Sequence, residues 1–159
     1  MPAEINNGPH PQYPKTQTIL HLLQQHATAT PEKIALVLTA GELADGNRLD
    51  VSYAEMWDLV SQIALALIGA NANADSGTKW VLICLPEGLS QVCAVWGVLR
   101  AGCGYVPLDS ETQAARLRIL FTETTPSAAI GEEGSLMAEV AAEFGVAFGC
   151  FPNLMANGL

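Results

Sequence analysis

Two glycines one residue apart, in the stretch LRAGCGYVPLD at residues 99–109, are the first residues whose type and spacing suggest chemistry. A glycine-rich loop cradles a phosphate when it follows a strand and opens a helix, so that its backbone amides face the anion. Here the order is reversed, because Gly102 follows a predicted helix, Gly104 leads into a predicted strand and Pro107 removes a further amide. The stretch therefore predicts a helix-to-strand turn. The sequence also lacks a G-x-x-x-x-G-K-[ST] loop.

The cysteines and histidines lack the spacings of a metal site or a catalytic nucleophile. No C-x-x-C pair occurs among Cys84, Cys93, Cys103 and Cys150, and most of them lie among apolar residues, which is typical of a reduced intracellular protein. Cys103 lies between two glycines and would be reactive if exposed, with Arg100 as its nearest cationic neighbour in sequence. The histidines are His10, His21 and His26. The last two are five residues apart, which differs from the spacing of about three or four that aligns ligands on a helix. Surface histidines are the favoured interpretation.

Acidic side chains lie at two predicted turns. Glu132 and Glu133 lie between two glycines, where a solvated turn is favoured over a pair of catalytic carboxylates. Asp109 and Glu111 precede a predicted helix. We expect them to cap that helix, since carboxylates are favoured at helix N-termini.

Length and charge limit the classes of protein. The chain has 159 residues, of which 50% are hydrophobic, so we expect one compact domain with a sizeable core. Its formal net charge is -9 and its seven basic side chains are scattered, which disfavours nucleic acid and anionic membrane surfaces as partners. The apolar runs are shorter than the roughly 18 residues of a membrane helix, and the first fifteen residues are polar, unlike a signal peptide. We expect a cytoplasmic protein with a flexible head at 1–15, a folded part at 16–150 and a frayed tail at 151–159.

Apolar periodicity predicts alternating helices and strands. The predicted helices cover 18–29, a segment opening at Ser52, 89–101, 114–122 and 136–144, and the predicted strands cover 34–38, 80–85, 104–108 and 127–130. The segment TAGELADGNRLD predicts a loop or hairpin, and the tail from Gly149 onward predicts a short strand with a frayed end. Continuous apolarity over 80–85 is typical of a central parallel strand. The short connections therefore predict an α/β fold of βαβ units with a largely parallel sheet and flanking helices.

Capping and helical spacing predict which side chains face the core. Ser52 and Glu55 have the spacing of a capping box. The expected inward side chains of the first two helices are Ile19, Leu22, Leu23, Tyr53, Met56, Trp57, Val60, Ile63, Ala64 and Leu67. Those of the next two are Leu89, Val92, Cys93, Trp96, Leu99, Leu117, Leu120 and Phe121.

The order of these segments, from about residue 16 to residue 130, resembles the N-terminal portion of adenylate-forming (AMP-binding) enzymes. The likeness is greatest to the adenylation domains of non-ribosomal peptide synthetases. Three family patterns carry it. Thr30, Pro31, Ala35 and Leu36 are similar to T-P-x-x-x-A-[LV]; Val51, Ser52, Tyr53, Glu55 and Met56 to L-[TS]-Y-x-E-L; and residues 99–109 to L-K-A-G-x-A-Y-V-P-[IL]-D, with Arg100 for lysine and Gly104 for alanine. Ala114 and Ala115 replace the usual proline and glutamate before Arg116 and Leu117.

The resemblance implies the first subdomain of the adenylate-forming fold. In that family, ATP and a carboxylate form an acyl-adenylate and pyrophosphate, and the acyl group moves to a carrier-protein thiol. The family's phosphate loop, nucleotide contacts, magnesium ligand, substrate pocket and catalytic lysine lie beyond the matched segments. The resemblance therefore implies ATP and Mg²⁺ for the complete fold and no catalytic, cofactor or metal residue in this chain. It implies scaffold roles for Ser52, Tyr53, Glu55, Gly102, Tyr105, Pro107 and Asp109.

Three functional hypotheses follow. The first is an N-terminal fragment of an amino-acid-activating adenylation domain, inactive alone, whose partners are the rest of that domain or a neighbouring synthetase or carrier domain. The second is a non-catalytic docking module for a synthetase partner, because a partial sheet leaves an edge and an apolar face uncovered. The third is an independent flavodoxin-like nucleotide-binding domain.

Overall fold

A parallel sheet with helices on both faces forms the centre of the computed structural model, which describes residues 16–39, 48–70 and 79–150. The helices are α1 (Ile19–Ala29), α2 (Tyr53–Ala70), α3 (Leu89–Arg100), α4 (Ala114–Thr124) and α5 (Leu136–Glu143). The strands are β1 (Ile34–Leu38), β2 (Leu49–Ser52), β3 (Trp80–Cys84), β4 (Gly104–Pro107), β5 (Ala128–Gly131) and β6 (Ala147–Cys150). The expected head at 1–15 and tail at 151–159 lie outside the described residues.

The four-stranded sheet has the order β4-β3-β5-β6, and each neighbouring pair is parallel. Strand β3 is central, and its residues Val81, Leu82 and Ile83 are buried, as expected of a strand covered on both faces. All four residues of β5 are buried as well. The predicted α/β fold with a largely parallel sheet is confirmed.

Strands β1 and β2 form a separate antiparallel ribbon. The hairpin alternative for TAGELADGNRLD is therefore confirmed for the described ends of that segment, whereas residues 40–47 lie outside the described residues. Strand β2 itself was not predicted. Its four residues, LDVS, are too few to show an alternating pattern, and β2 is defined by its pairing with β1.

The crossovers divide the core into two clusters. Val81 and Ile83 pack with α2 and α3 on one face of the sheet, while Leu82 packs with Phe121 and Met137 of α4 and α5 on the other. The handedness of βαβ units explains this division. The chain moves from β3 to β4 through α3, and then reverses across the sheet to β5 through α4, which places the two helices on opposite faces.

Several side chains predicted to face inward are less buried than expected. Tyr53 and Trp57 of α2 and Leu120 of α4 are only partly buried, and the faces of α1 and α3 differ more. In α1 only Leu23 is buried, whereas Ile19 and Leu22 are 61% and 42% exposed. In α3 the buried set is Leu89, Cys93, Ala94, Gly97 and Val98, while Val92, Trp96 and Leu99 are only partly buried. The reason lies at Gly97, which has no side chain and lets Ile63 of α2 pack directly against α3. Small residues in α3 therefore contact α2 where large ones were expected.

In the described part of the chain, no helix combines the length and apolarity needed to cross a membrane.

Candidate functional site

The glycines of LRAGCGYVPLD form the corner between α3 and β4. Gly102 has a φ of 75°, and its amide donates to the Leu99 carbonyl at 3.0 Å. The Cys103 amide donates to the Val98 carbonyl at 3.1 Å, which completes a Schellman motif. The Gly104 amide donates to the Lys79 carbonyl at 2.8 Å. The predicted helix-to-strand turn is confirmed, and these three amides bind the chain's own carbonyls and not a phosphate.

Two departures from the family pattern at this corner have packing partners. A Cβ at position 104 would lie 2.6 Å from the ring of Trp80, so glycine allows that ring to cover the strand. Arg100, which replaces lysine, places its guanidinium 3.9 Å from the ring centroid of Trp57 in α2. A planar guanidinium stacks on an aromatic face better than an ammonium does. The Arg100–Trp57 contact joins α3 to α2 and could not be read from sequence spacing.

Strand β4 and the turn after it hold three more of the motif residues. Tyr105 is 37% exposed and pairs with Val81, and Pro107 pairs with Ile83 on this edge strand, where a missing amide is tolerated. The Asp109 carboxylate accepts the Glu111 amide at 2.9 Å. Asp109 therefore closes a turn before α4.

The prediction that Asp109 and Glu111 cap α4 is wrong. The N-cap of α4 is Gln113, whose side chain makes no capping hydrogen bond. The Asp109 carboxylate is used by the Glu111 amide, in a turn that precedes the first helical residue, Ala114.

The start of α2 is fixed by two motifs that interlock. The Ser52 amide donates to the Glu55 carboxylate at 2.8 Å and the Glu55 amide donates to the Ser52 hydroxyl at 3.3 Å, so the predicted capping box is confirmed. The Tyr53 and Ala54 amides donate to the carbonyls of Lys33 and Pro31 at 2.9 and 3.1 Å. The bonds from Ser52, backbone amide first and hydroxyl second, hold the pKa of Glu55 below its usual value. These amides at the N-terminus of α2 are thus used internally.

The two described histidines have structural contacts. The Thr18 amide donates to His21 Nδ1 at 3.3 Å and the His21 amide donates to the Thr18 hydroxyl at 3.4 Å, which forms a capping box at the start of α1. His26 stacks on Tyr53 with ring centroids 5.1 Å apart. His10 lies outside the described residues. Within the described ranges, no group of three or more metal-ligating side chains is present.

Burial raises the pKa of the thiols in α3 and at its corner. Cys103 is only 6% exposed, and burial raises its pKa, with Lys79 acting in the opposite direction. Burial also raises the pKa of Cys93 to about 12. The alternative of a reactive Cys103, which required exposure, is therefore wrong. At the other end of β3, burial and then the charges of Asp109 and Glu132 raise the pKa of Cys84.

A groove of about 300 Å³ lies at the carboxyl ends of β3 and β4, the edge at which parallel sheets bind ligands. Its described lining consists of Leu85, Pro86, Glu87, Gln91, Pro107, Leu108, Asp109 and Ser110. This set contains two carboxylates and no basic side chain, and Glu132 and Glu133 are exposed just after β5. A polyphosphate would be repelled there. The sequence had not indicated Glu87 or Gln91, because only the fold brings them to the same groove as Asp109 and its chain neighbour Ser110.

Comparison with known proteins identifies the family of this chain. Residues 23–147 match the AMP-binding enzyme family. Bacitracin synthase 3 from Bacillus licheniformis is 30% identical over 136 residues, which are 86% of this chain and 2% of that protein. A dimodular nonribosomal peptide synthase from Bacillus subtilis is 27% identical over 119 residues, which are 75% of this chain and 4% of that protein. The chain therefore spans only a small part of these relatives.

Two solved structures have the same fold over most of this chain. The crystal structure of IdnL1 has a TM-score of 0.61 at 26% identity, covering 74% of this chain and 22% of that one. The crystal structure of VinN has a TM-score of 0.66 at 20% identity, covering 89% and 33%. At that identity VinN supports the fold alone. Together with the family match over residues 23–147, these comparisons show that the chain belongs to the AMP-binding enzyme family and corresponds to an N-terminal fragment resembling a peptide-synthetase adenylation domain.

Proposed function

We propose that this chain supplies the scaffold of the first subdomain of an amino-acid-activating adenylation domain and does not form an acyl-adenylate by itself. One observation carries the proposal. The family match covers residues 23–147, yet the amides of its two best-matching motifs bond to the chain's own carbonyls and side chains. Because the described groups of these motifs are engaged within the chain, they support a structural role for the segment.

The chemistry of adenylation also supports a scaffold role for this chain. The reaction joins a carboxylate to the α-phosphate of ATP and releases pyrophosphate, so negative charge on the transferring phosphate needs cationic or dipolar stabilisation. The groove at the ends of β3 and β4 offers Glu87 and Asp109 instead. This groove therefore does not fit ATP, and among the described residues no group of three or more metal-ligating side chains is present that would hold Mg²⁺. We assign both to other parts of a complete domain.

In this proposal the motif residues act on backbone geometry. Ser52, Tyr53 and Glu55 fix where α2 begins, and Gly102 ends α3. Tyr105, Pro107 and Asp109 lie on β4 and the turn that follows it. The partner is the remainder of an adenylation domain or a neighbouring synthetase or carrier domain. A cytoplasmic location, expected from the cysteine usage, belongs to the same proposal.

Exchange of labelled pyrophosphate into ATP tests the proposal. The purified chain is incubated with ATP, Mg²⁺ and each of a panel of amino and aryl acids, with an intact peptide-synthetase adenylation domain as the positive control. We expect no exchange above the protein-free blank, and circular dichroism in the same buffer checks that the chain is folded. Exchange that depends on one acid and on this chain would overturn the proposal.

Two other candidate functions have less support. A docking module for a synthetase partner is favoured by exposed apolar side chains such as Leu65, which is 69% exposed. A flavodoxin-like nucleotide-binding domain is favoured only by the strand order β4-β3-β5-β6, which equals the 2-1-3-4 order of that fold. Calorimetry with ATP, AMP and FMN distinguishes the flavodoxin-like domain from the proposed scaffold, because a scaffold fragment binds none of these nucleotides.

A further inference from the structure

Strand β4 forms one end of the four-stranded sheet, whose order is β4-β3-β5-β6. An end strand presents unpaired backbone amides and carbonyls, to which a further strand can add. The Gly104 amide donates to the Lys79 carbonyl at 2.8 Å and the Leu108 amide to the Ile83 carbonyl at 2.8 Å, so both point toward β3. Because the hydrogen-bonding direction alternates along a strand, positions 103, 105 and 107 point toward the outer edge.

Only one of these three positions offers an amide to an added strand. Pro107 has no amide hydrogen, and the Cys103 amide donates to the Val98 carbonyl at 3.1 Å. The remaining position is Tyr105, which is 37% exposed and whose amide has no acceptor among the described residues. An added strand would therefore meet a single donor with a missing donor two residues away on each side.

We infer that Pro107 closes the β4 edge to strand addition and so keeps the edge from pairing with a second copy of this chain. A carbonyl of the added strand that faces Pro107 would be buried without a hydrogen bond, which disfavours the pair. Sheet proteins protect their edges with charged side chains or with proline. The four residues of β4, GYVP, include no charged side chain, so proline is the device present here. Because position 107 donates to no other strand, the proline leaves the pairing of β4 with β3 intact.

The pairing that Pro107 prevents has a defined register. Two copies related by a two-fold axis would pair antiparallel through Tyr105, with each Tyr105 amide donating to the other copy's Tyr105 carbonyl. Position 107 of one copy then lies opposite position 103 of the other. Neither Pro107 nor Cys103 supplies an amide there, so only the bonds of Tyr105 form. An amide at position 107 would donate to the other copy's Cys103 carbonyl, and by symmetry the number of hydrogen bonds would double.

Pro107→Val tests the inference, because it restores the amide with a residue that favours strands. Pro86→Val is the matched control, since Pro86 is also exposed but follows the end of β3 and lies on no strand. Tyr105→Pro combined with Pro107→Val moves the proline by two positions along the same edge. It removes the outward amide of Tyr105 and no hydrogen bond to β3. Circular dichroism checks that each variant is folded.

Light scattering in about 1 M salt measures association, because the screening length there is about 3 Å and the formal charge of -9 on each copy is screened. We expect Pro107→Val to dimerise with a Kd lower than that of the unchanged chain by about tenfold or more, from the regained hydrogen bonds. Pro86→Val and the double variant should behave as the unchanged chain does. Pro107→Ala restores the same amide with a smaller side chain and should also dimerise.

Amide hydrogen exchange measured by NMR reads the edge directly. In the unchanged chain the Tyr105 amide should exchange fast, whereas the Gly104 amide, which donates to Lys79, should be protected. In the Pro107→Val dimer both amides should be protected, and the protection of Tyr105 should disappear on dilution.

Protection of the Tyr105 amide in the unchanged chain would overturn the inference, because the edge would already be paired. The inference also fails if folded Pro107→Val and Pro107→Ala associate no more than Pro86→Val. Association of Pro107→Val that persists after Tyr105→Pro is added would show that the dimer forms elsewhere, and would count against the inference equally. If neither variant at position 107 folds, the exchange of the Tyr105 amide in the unchanged chain decides.

Discussion

The contact between α2 and α3 at Gly97 makes a strong prediction about stability. A Cβ built at this position would lie 2.6 Å from the Cβ of Ile63 and 3.3 Å from the Val60 carbonyl oxygen. Ile63 is only 2% exposed, and its Cβ is fixed to the backbone of α2. It cannot move out of the way as the end of a flexible side chain can. Gly97→Ala should therefore force the two helices apart.

The magnitude follows from two opposing effects. Overpacking a close-packed core destabilises by about 1–3 kcal/mol, and a contact with an immobile Cβ belongs in the upper half of that range. Alanine in place of glycine inside a helix contributes about 1 kcal/mol in the other direction. We expect Gly97→Ala to lower the free energy of unfolding by about 1–2 kcal/mol. Gly69→Ala in α2 has nothing within 4 Å of the added methyl group, so it should raise that free energy by up to about 1 kcal/mol.

Urea unfolding followed by circular dichroism measures both variants against the unchanged chain. The reasoning fails if Gly97→Ala is at least as stable as Gly69→Ala. A double-mutant cycle locates the cause, because Ile63→Gly removes both the Cβ and the Cγ2 atoms that crowd a new methyl group at position 97. The double variant should be more stable than the sum of the single effects predicts, by about 0.5–3 kcal/mol. Simple additivity would show that Ile63 is not the obstacle.

Three further predictions concern the capping box, the N-cap of α4 and the thiols. Because bonds from Ser52 lower the Glu55 pKa, their stabilisation is present at neutral pH and is lost as the pH falls through that lowered pKa. Glu55→Gln should thus flatten the urea stability profile between about pH 5 and pH 3, and parallel profiles for variant and unchanged chain would contradict this. Gln113→Asp should raise the free energy of unfolding by about 1 kcal/mol by capping α4, whereas Gln113→Ala should give no gain; equal effects of the two would argue against an unfilled cap. Iodoacetamide at pH 8 should modify exposed Cys150 before Cys93, whose pKa of about 12 leaves little thiolate, and mass spectrometry showing early labelling of Cys93 would refute the order.

Local patterns predicted most of the secondary structure and the two best motifs. Strand β1 was predicted with the bounds that the structure has, and the start of α4 at Ala114 also agrees. The capping box at Ser52 and the turn at Gly102 were predicted because each depends on residues within five positions along the chain. The acidic groove was not predicted. Its residues come from the ends of two strands that only the fold brings together.

The family itself could be identified from the order of the motifs. The segments that resemble adenylation domains begin at about residue 16, and from residue 23 onward they lie within the 23–147 family match. The roles of several residues named in the sequence analysis could not be identified in this way. Cys103 is buried and Asp109 binds within its own turn, and in each case the deciding neighbour is a tertiary or turn contact.

The sequence by itself determined the parallel α/β fold, because hydrophobic periodicity, caps and turn glycines act over one or two turns of chain. The tertiary structure alone decided which faces are covered. Helix α1 exposes Ile19 and Leu22 although its pattern is amphipathic, and α3 buries Gly97 against Ile63 although larger residues were available. A periodic pattern indicates that one face of a helix is apolar. Burial of that face also requires a neighbouring element of matching shape.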